Sequence, residues 1–148
     1  NDAVFFYAGH PYLKNRIVSA FVFIVDFNNE FKDIQSLLYL SDVLITDYSS
    51  VWLDFLLCDK PVVGFCFDKD SYKDDRGFLF DVNTIFPGEM VASFEDLLDV
   101  LKCNLSKNSI NLERNKIIKS MFHAHQDGRN CQRITTEILL LSEEVFSK

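Results

Sequence analysis

The run Thr46-Asp47-Tyr48-Ser49-Ser50 follows the apolar stretch Val43-Leu44-Ile45 and passes at once into a helix-compatible segment, residues 51–58 (VWLDFLLC). A strand that turns straight into a helix in this way presents backbone N–H groups and two hydroxyls at a helix N-terminus. The helix dipole adds about half a positive charge there, so such a turn attracts a pyrophosphate at the carboxyl edge of a parallel sheet. The same residues also fit a plainer purpose, in which Asp47, Ser49 or Ser50 caps the helix and no ligand is involved. The residues alone leave both readings open.

Other reactive side chains narrow the chemistry. His123, His125 and Cys131 stand at a spacing that fits no standard zinc site. The four cysteines, Cys58, Cys66, Cys103 and Cys131, form no C-x-x-C pair and read as reduced thiols of a cytosolic protein, without disulfides or structural zinc. A formal charge of −7 argues against nonspecific nucleic-acid binding, which needs clustered Lys and Arg. A phosphate-rich ligand would therefore have to be held by local positive potential at helix N-termini and a few placed cations.

The elements that must carry these groups are legible as apolar periodicity. With 148 residues, 48% of them hydrophobic, the chain has the size and core content of one domain. Residues 3–7 (AVFFY) and 20–27 (AFVFIVDF) read as strands covered on both faces, with Gly9-His10-Pro11 as a turn after the first. Asp33 precedes a short amphipathic helix through Leu37 and Leu38; residues 43–46 form a strand, 51–58 a helix ended by Lys60-Pro61, and 62–67 a buried strand. This alternation predicts an α/β fold with a doubly wound, Rossmann-like parallel sheet. Residues 68–88 read as a long polar loop, functional or mobile. Residues 90–92 follow as a short strand, then a helix capped by Ser93 with Glu95-Asp96, and two further helices over 109–122 and 130–146. No apolar run approaches the roughly 20 residues of a membrane helix. The chain opens on Asn1 without a basic and apolar leader, which suggests an excised piece with no secretion signal.

Asp33-Ile34-Gln35-Ser36-Leu37-Leu38, then residues 41–51 (SDVLITDYSSV), Asp54-Phe55, Lys60-Pro61-Val62 and Tyr72 with Arg76-Gly77 closely resemble the C-terminal half of the CDP-glycerol glycerophosphotransferases of teichoic-acid and capsule synthesis. The resemblance runs from about His10 to Arg133. It implies the C-terminal domain of a two-domain GT-B fold, which holds the CDP-linked donor, with residues 1–148 as that single domain and the N-terminal acceptor domain absent. The activity implied is transfer of glycerol phosphate, or a similar polyol phosphate, from CDP-glycerol to a hydroxyl of a lipid-linked polymer, with release of CMP. A cytoplasmic location, peripheral on the inner face of the cell membrane, goes with it; no cofactor is implied, no metal-binding residue is assigned, and metal dependence stays open.

Site residues follow from the same resemblance. His10 matches the His-Pro after the first strand of the domain and is the catalytic candidate, either neutralising the donor pyrophosphate or relaying a proton. Ser49 and Ser50 are assigned to the donor phosphates, and Asp47 to shaping the turn or touching the polyol. Arg76, on the long loop, is the cation for phosphate because a guanidinium grips two oxygens. Asp54 faces the ribose hydroxyls or only complements the helix N-terminus, and Tyr72 stacks or merely packs. Lys69 and Lys73 read as solvated. Asp127, Gly128 and Arg133 mark a second anion-favouring point, where Cys131 and Gln132 depart from the family's small residues. Asp68-Lys69-Asp70 resembles a different element of the family from a metal motif.

Two alternatives remain. One is a GT-B glycosyltransferase using a CDP- or UDP-sugar. The other is a non-catalytic, receiver-like nucleotide-binding α/β module, which needs an acidic cluster at the strand ends where Asp47 has no acidic pair to join.

Overall fold

The computed structural model describes residues 3–9, 24–26, 33–105 and 112–146. Along them run β1 (Phe5–Tyr7), β2 (Ile24–Asp26), α1 (Ile34–Leu40), β3 (Leu44–Thr46), α2 (Val51–Phe55) with a 3-10 turn (Leu56–Cys58), β4 (Val62–Phe65), α3 (Lys69–Arg76), α4 (Val82–Ile85), β5 (Glu89–Val91), α5 (Phe94–Leu105), α6 (Leu112–Phe122) and α7 (Asn130–Phe146). The chain divides into two compact units, Asn1–Leu40 and Ser41–Lys148.

In the first unit β1 and β2 pair in parallel, Phe5 opposite Ile24 and Tyr7 opposite Asp26. The expectation that the first run is covered on both faces is not met: Val4, Phe5 and Phe6 are 60%, 49% and 42% exposed. Two three-residue strands make too small a sheet to enclose its own apolar face. Helix α1 starts where Asp33 predicts. Its carboxylate accepts the Ser36 hydroxyl and the N–H groups of Gln35 (3.1 Å) and Ser36 (3.2 Å). The Ser36 hydroxyl above all, with those N–H groups, holds the Asp33 carboxyl below its usual range.

In the second unit β3, β4 and β5 form a parallel sheet in chain order, with Leu44 opposite Val62 and Val63 opposite Glu89. Parallel neighbours cannot be joined by tight turns, so each pair needs a crossover. Helix α2 and its 3-10 turn supply the first, and α3 with α4 the second. The core gathers on the sheet: Phe55, Leu56 and Val63 are fully buried, and Trp52 meets Phe86 and Phe122 edge-on at 5.8 and 5.7 Å. Burying each of these large apolar side chains contributes roughly 1.5–3 kcal/mol. A Cβ on Gly88 would lie 1.6 Å from the carbonyl oxygen of Val62, so only glycine lets the chain enter β5 this close to β4.

Helix α5 packs on β4 and β5, and Ser93 caps its start as predicted, its hydroxyl donating to the Asp96 carboxylate (2.7 Å) and accepting the Asp96 N–H (3.1 Å). Helix α6 buries Ile118 and Asn115, and its Lys119, 12% exposed, reaches both Asp59 carboxylate oxygens at 2.9 and 3.0 Å. Helix α7 begins at Asn130 as expected, after Gly128 at φ +72°, and exposes Ile134, Ile138 and Leu141. None of the described helices is long and apolar enough to cross a membrane.

The largest departure from the sequence reading is in residues 68–88, expected as an irregular loop and folded instead into α3 and α4. Neither helix rests on an apolar stripe, and polar groups set the start and end of α4. Asp81 accepts the Asn83 N–H (3.0 Å) and the Thr84 hydroxyl (2.9 Å) at the head of α4. From α6, Arg114 donates to the carbonyls of Asn83 (3.0 Å), Thr84 (3.2 Å) and Phe86 (3.0 Å) at its tail.

Candidate functional site

Because β3 and β4 run in parallel, the segments that leave them emerge at one edge of the sheet. Residues 47–50 leave β3 there, and Cys66 and Asp68 leave β4. The turn after β3 is built by its own side chains. Asp47 Oδ1 accepts the Ser49 N–H at 2.8 Å, and the Ser49 hydroxyl accepts the Val51 N–H at a long 3.4 Å. Ser50, at φ −69° and ψ −2°, lies in the helical region, and its hydroxyl makes no cap bond. Of the two roles left open for Asp47, shaping the turn is the one its hydrogen bond serves. Ser49 and Ser50 are exposed, as an anion-binding turn requires.

Tyr48 points from this turn to the second crossover. Its hydroxyl donates to Asp68 Oδ1 at 3.1 Å, and its ring lies 4.1 Å from Tyr72 and 5.4 Å from Phe78. Burial, then the bond to Asp68, pushes the Tyr48 phenol above its ordinary value, and burial likewise pushes the Cys66 thiol up. Tyr72 therefore packs, stacked on Phe78 at 5.5 Å and 22°.

Arg76 stands in the last turn of α3 instead of on a loop, exposed and with no hydrogen bond or ion pair among the described residues. Lys73 is exposed as expected, whereas Lys69 is not simply solvated: its ammonium donates to Asn83 Oδ1, tying α3 to α4. Asp54 is exposed on α2, one turn beyond Ser50. His10 lies outside the described residues.

At the start of α7, Asp127, Gly128 and Arg133 do come together, but as a closed set. Asp127 Oδ1 accepts the Arg129 N–H at 3.1 Å and both terminal nitrogens of Arg133, at 3.0 and 2.5 Å. His123 is half-buried with Nε2 2.7 Å from the Leu53 carbonyl oxygen, whereas His125 is exposed. Among the described residues no three His, Cys, Asp or Glu side chains cluster as a metal site would need.

The family described as CDP-glycerol:poly(glycerophosphate) glycerophosphotransferase matches residues 1–140. The chain belongs to that family. Among its relatives, the teichoic acid poly(ribitol-phosphate) polymerase of Bacillus spizizenii is 29% identical over 147 residues, 97% of this chain and 23% of that protein. The teichoic acid glycerol-phosphate transferase of Staphylococcus aureus is 32% identical over 139 residues, 93% of this chain and 36% of that one. The solved wall teichoic acid polymerase TagF superposes with a TM-score of 0.67 at 29% identity, over 85% of this chain and 31% of its own. A variant of it soaked with CDPG superposes at 0.66. The chain thus spans roughly a quarter to a third of the length of these relatives.

Sequence reasoning passed over Tyr48 and Asp68, although both stand within or beside segments it singled out. Their signal was positional: each follows the C-terminal end of a parallel strand, where ligand-facing groups of α/β sheets collect. Arg114 had no such signal, since its partners are backbone carbonyls about thirty residues upstream.

Proposed function

We propose that this chain is the donor-binding part of an enzyme that moves glycerol phosphate, or a similar polyol phosphate, from CDP-glycerol or a related CDP-polyol to a hydroxyl of a teichoic-acid-like or capsular polymer. The observation that carries the reading is the family match over residues 1–140, joined to an exposed serine turn at the carboxyl edge of the β3–β4 pair. In this reading Ser49 and Ser50 meet the donor phosphates, Arg76 neutralises them, and Asp54 faces the ribose. His10 serves as proton relay or as a positive partner to the pyrophosphate. The acceptor oxygen attacks the polyol-linked phosphorus in line, the bond from that phosphorus to the bridging oxygen breaks, and CMP leaves while the hydroxyl proton passes to a base. Catalysis of this kind is mostly positioning and charge stabilisation.

The chain is read as a single Rossmann-like domain, the C-terminal half of a GT-B fold, in a protein peripheral to the inner face of the membrane whose lipid-linked acceptor is held by another domain. Tests should offer the full-length protein CDP-glycerol, CDP-ribitol and UDP-sugars and follow release of CMP or UDP. Turnover of a CDP-polyol is expected, while turnover of UDP-sugars alone would overturn the reading in favour of a glycosyltransferase. The chain by itself is expected to bind CDP without turnover.

A further inference from the structure

The serine turn and the helix that carries Arg76 belong to different crossovers, and α3 buries none of its own side chains. A two-turn helix without a buried face is marginal by itself and keeps its place through contacts at its ends and along one side. Lys69 ties α3 to α4 through Asn83, and the contacts toward the serine turn converge on Tyr48. Its hydroxyl holds Asp68, the residue that opens α3; its ring lies against Tyr72 in the middle of the helix; and Phe78, beyond the end, closes on both rings. Phe78 can turn back because Gly77 adopts φ +69° and ψ 174°, a region nearly confined to glycine. Tyr72 and Arg76 are four residues apart and therefore share a face of α3. The contact between the Tyr48 and Tyr72 rings turns that face toward the 47–50 segment, with Arg76 about one helical turn, roughly 6 Å, farther along.

We propose that Tyr48 is a positioning residue that locks α3 to the serine turn and so sets where the Arg76 guanidinium stands relative to Ser49 and Ser50. The proposal rests on the reading of that turn as the donor-phosphate site. Tyr48 itself does not touch substrate: its hydroxyl is committed to Asp68 and its ring to Tyr72 and Phe78, so it acts through α3.

The test uses the full-length protein with Tyr48→Phe, which keeps the rings and drops the donor, and Tyr48→Leu, which drops both. In Tyr48→Leu, amide hydrogen exchange in residues 69–80 should quicken and KM for the CDP-polyol rise, each roughly tenfold, as expected for the loss of two ring contacts, with kcat within about twofold. Tyr48→Phe should restore most of the affinity and, having lost the bond to Asp68, exchange roughly two- to fivefold faster than wild type. If Tyr48 works through Arg76, adding Tyr48→Leu to Arg76→Ala should raise KM no further than about twofold.

Additive effects of the two substitutions would show a general structural role and overturn the proposal, as would unchanged exchange in residues 69–80. Should Tyr48→Leu not fold, the exchange rate of Tyr48→Phe decides, a rate equal to wild type counting against the lock. Absence of CDP-polyol turnover in the wild-type protein would sink the donor reading instead, and the exchange measurement would still decide whether Tyr48 holds α3.

Discussion

Replacing Asp47 by Asn and by Ala separates the turn-building role of this residue from a direct role in the chemistry. Asp47 is exposed and accepts the Ser49 N–H through Oδ1 at 2.8 Å. Both substitutions remove one negative charge from beside the proposed phosphate site. At about 5 Å in a water-like medium that charge opposes a phosphate by roughly 0.8 kcal/mol, so its removal alone should tighten CDP binding about fourfold. Asn keeps an oxygen where Oδ1 stands and can rebuild the turn; Ala cannot. The lost bond is worth about 1 kcal/mol, or roughly fivefold in affinity, which in Ala nearly cancels the gain from the missing charge. Calorimetric titration of the full-length protein with CDP should thus rank Asn tightest, with Ala close to wild type. Equal affinities for Asn and Ala would refute the turn-building role. Loss of turnover in Asn with binding intact would place the carboxylate at the reacting atoms.

Three further outcomes are expected. Gly88→Ala puts a Cβ against the Val62 carbonyl oxygen and should destabilise the fold by about 3 kcal/mol or more, read as a lowered midpoint in urea. Gly77→Ala meets no neighbouring atom but forces alanine into a glycine conformation, so roughly 1–3 kcal/mol should be lost, with the faster amide exchange confined to residues 69–80. For Tyr48 the folded-state phenol lies above its ordinary value of 10.0, so the stability it contributes is complete below that pH and is lost as pH rises beyond it. Unfolding of wild type and Tyr48→Phe followed from about pH 8 to pH 11 should show the gap between them narrowing only above about pH 10. A gap constant with pH would mean that the hydroxyl is not held as described.

What could be read from the sequence was whatever rests on local chemistry. The capping residues Asp33 and Ser93, the strand-turn-helix around residue 47 and the start of α7 each carry their cause within a few positions. Parallel pairing was equally legible, because short apolar strands separated by helices allow little else. Residues 68–88 were not, since α3 lacks an apolar stripe and owes its place to Tyr48, twenty residues before Asp68. The pairing of Arg133 with Asp127 was hidden for a related reason. A guanidinium reads as available in sequence, and only the fold brings Asp127 onto it.

That last pair bears on how the head of α7 meets free anions. A carboxylate six residues from its guanidinium is confined near it, and tethering of this kind corresponds to an effective concentration on the order of millimolar. Any phosphate arriving from solution therefore competes with an anion the chain carries itself. Free phosphate well below that level should leave Arg133 occupied by Asp127, whereas a ligand anchored elsewhere on the protein, and so presented at a higher local concentration, could take the carboxylate's place.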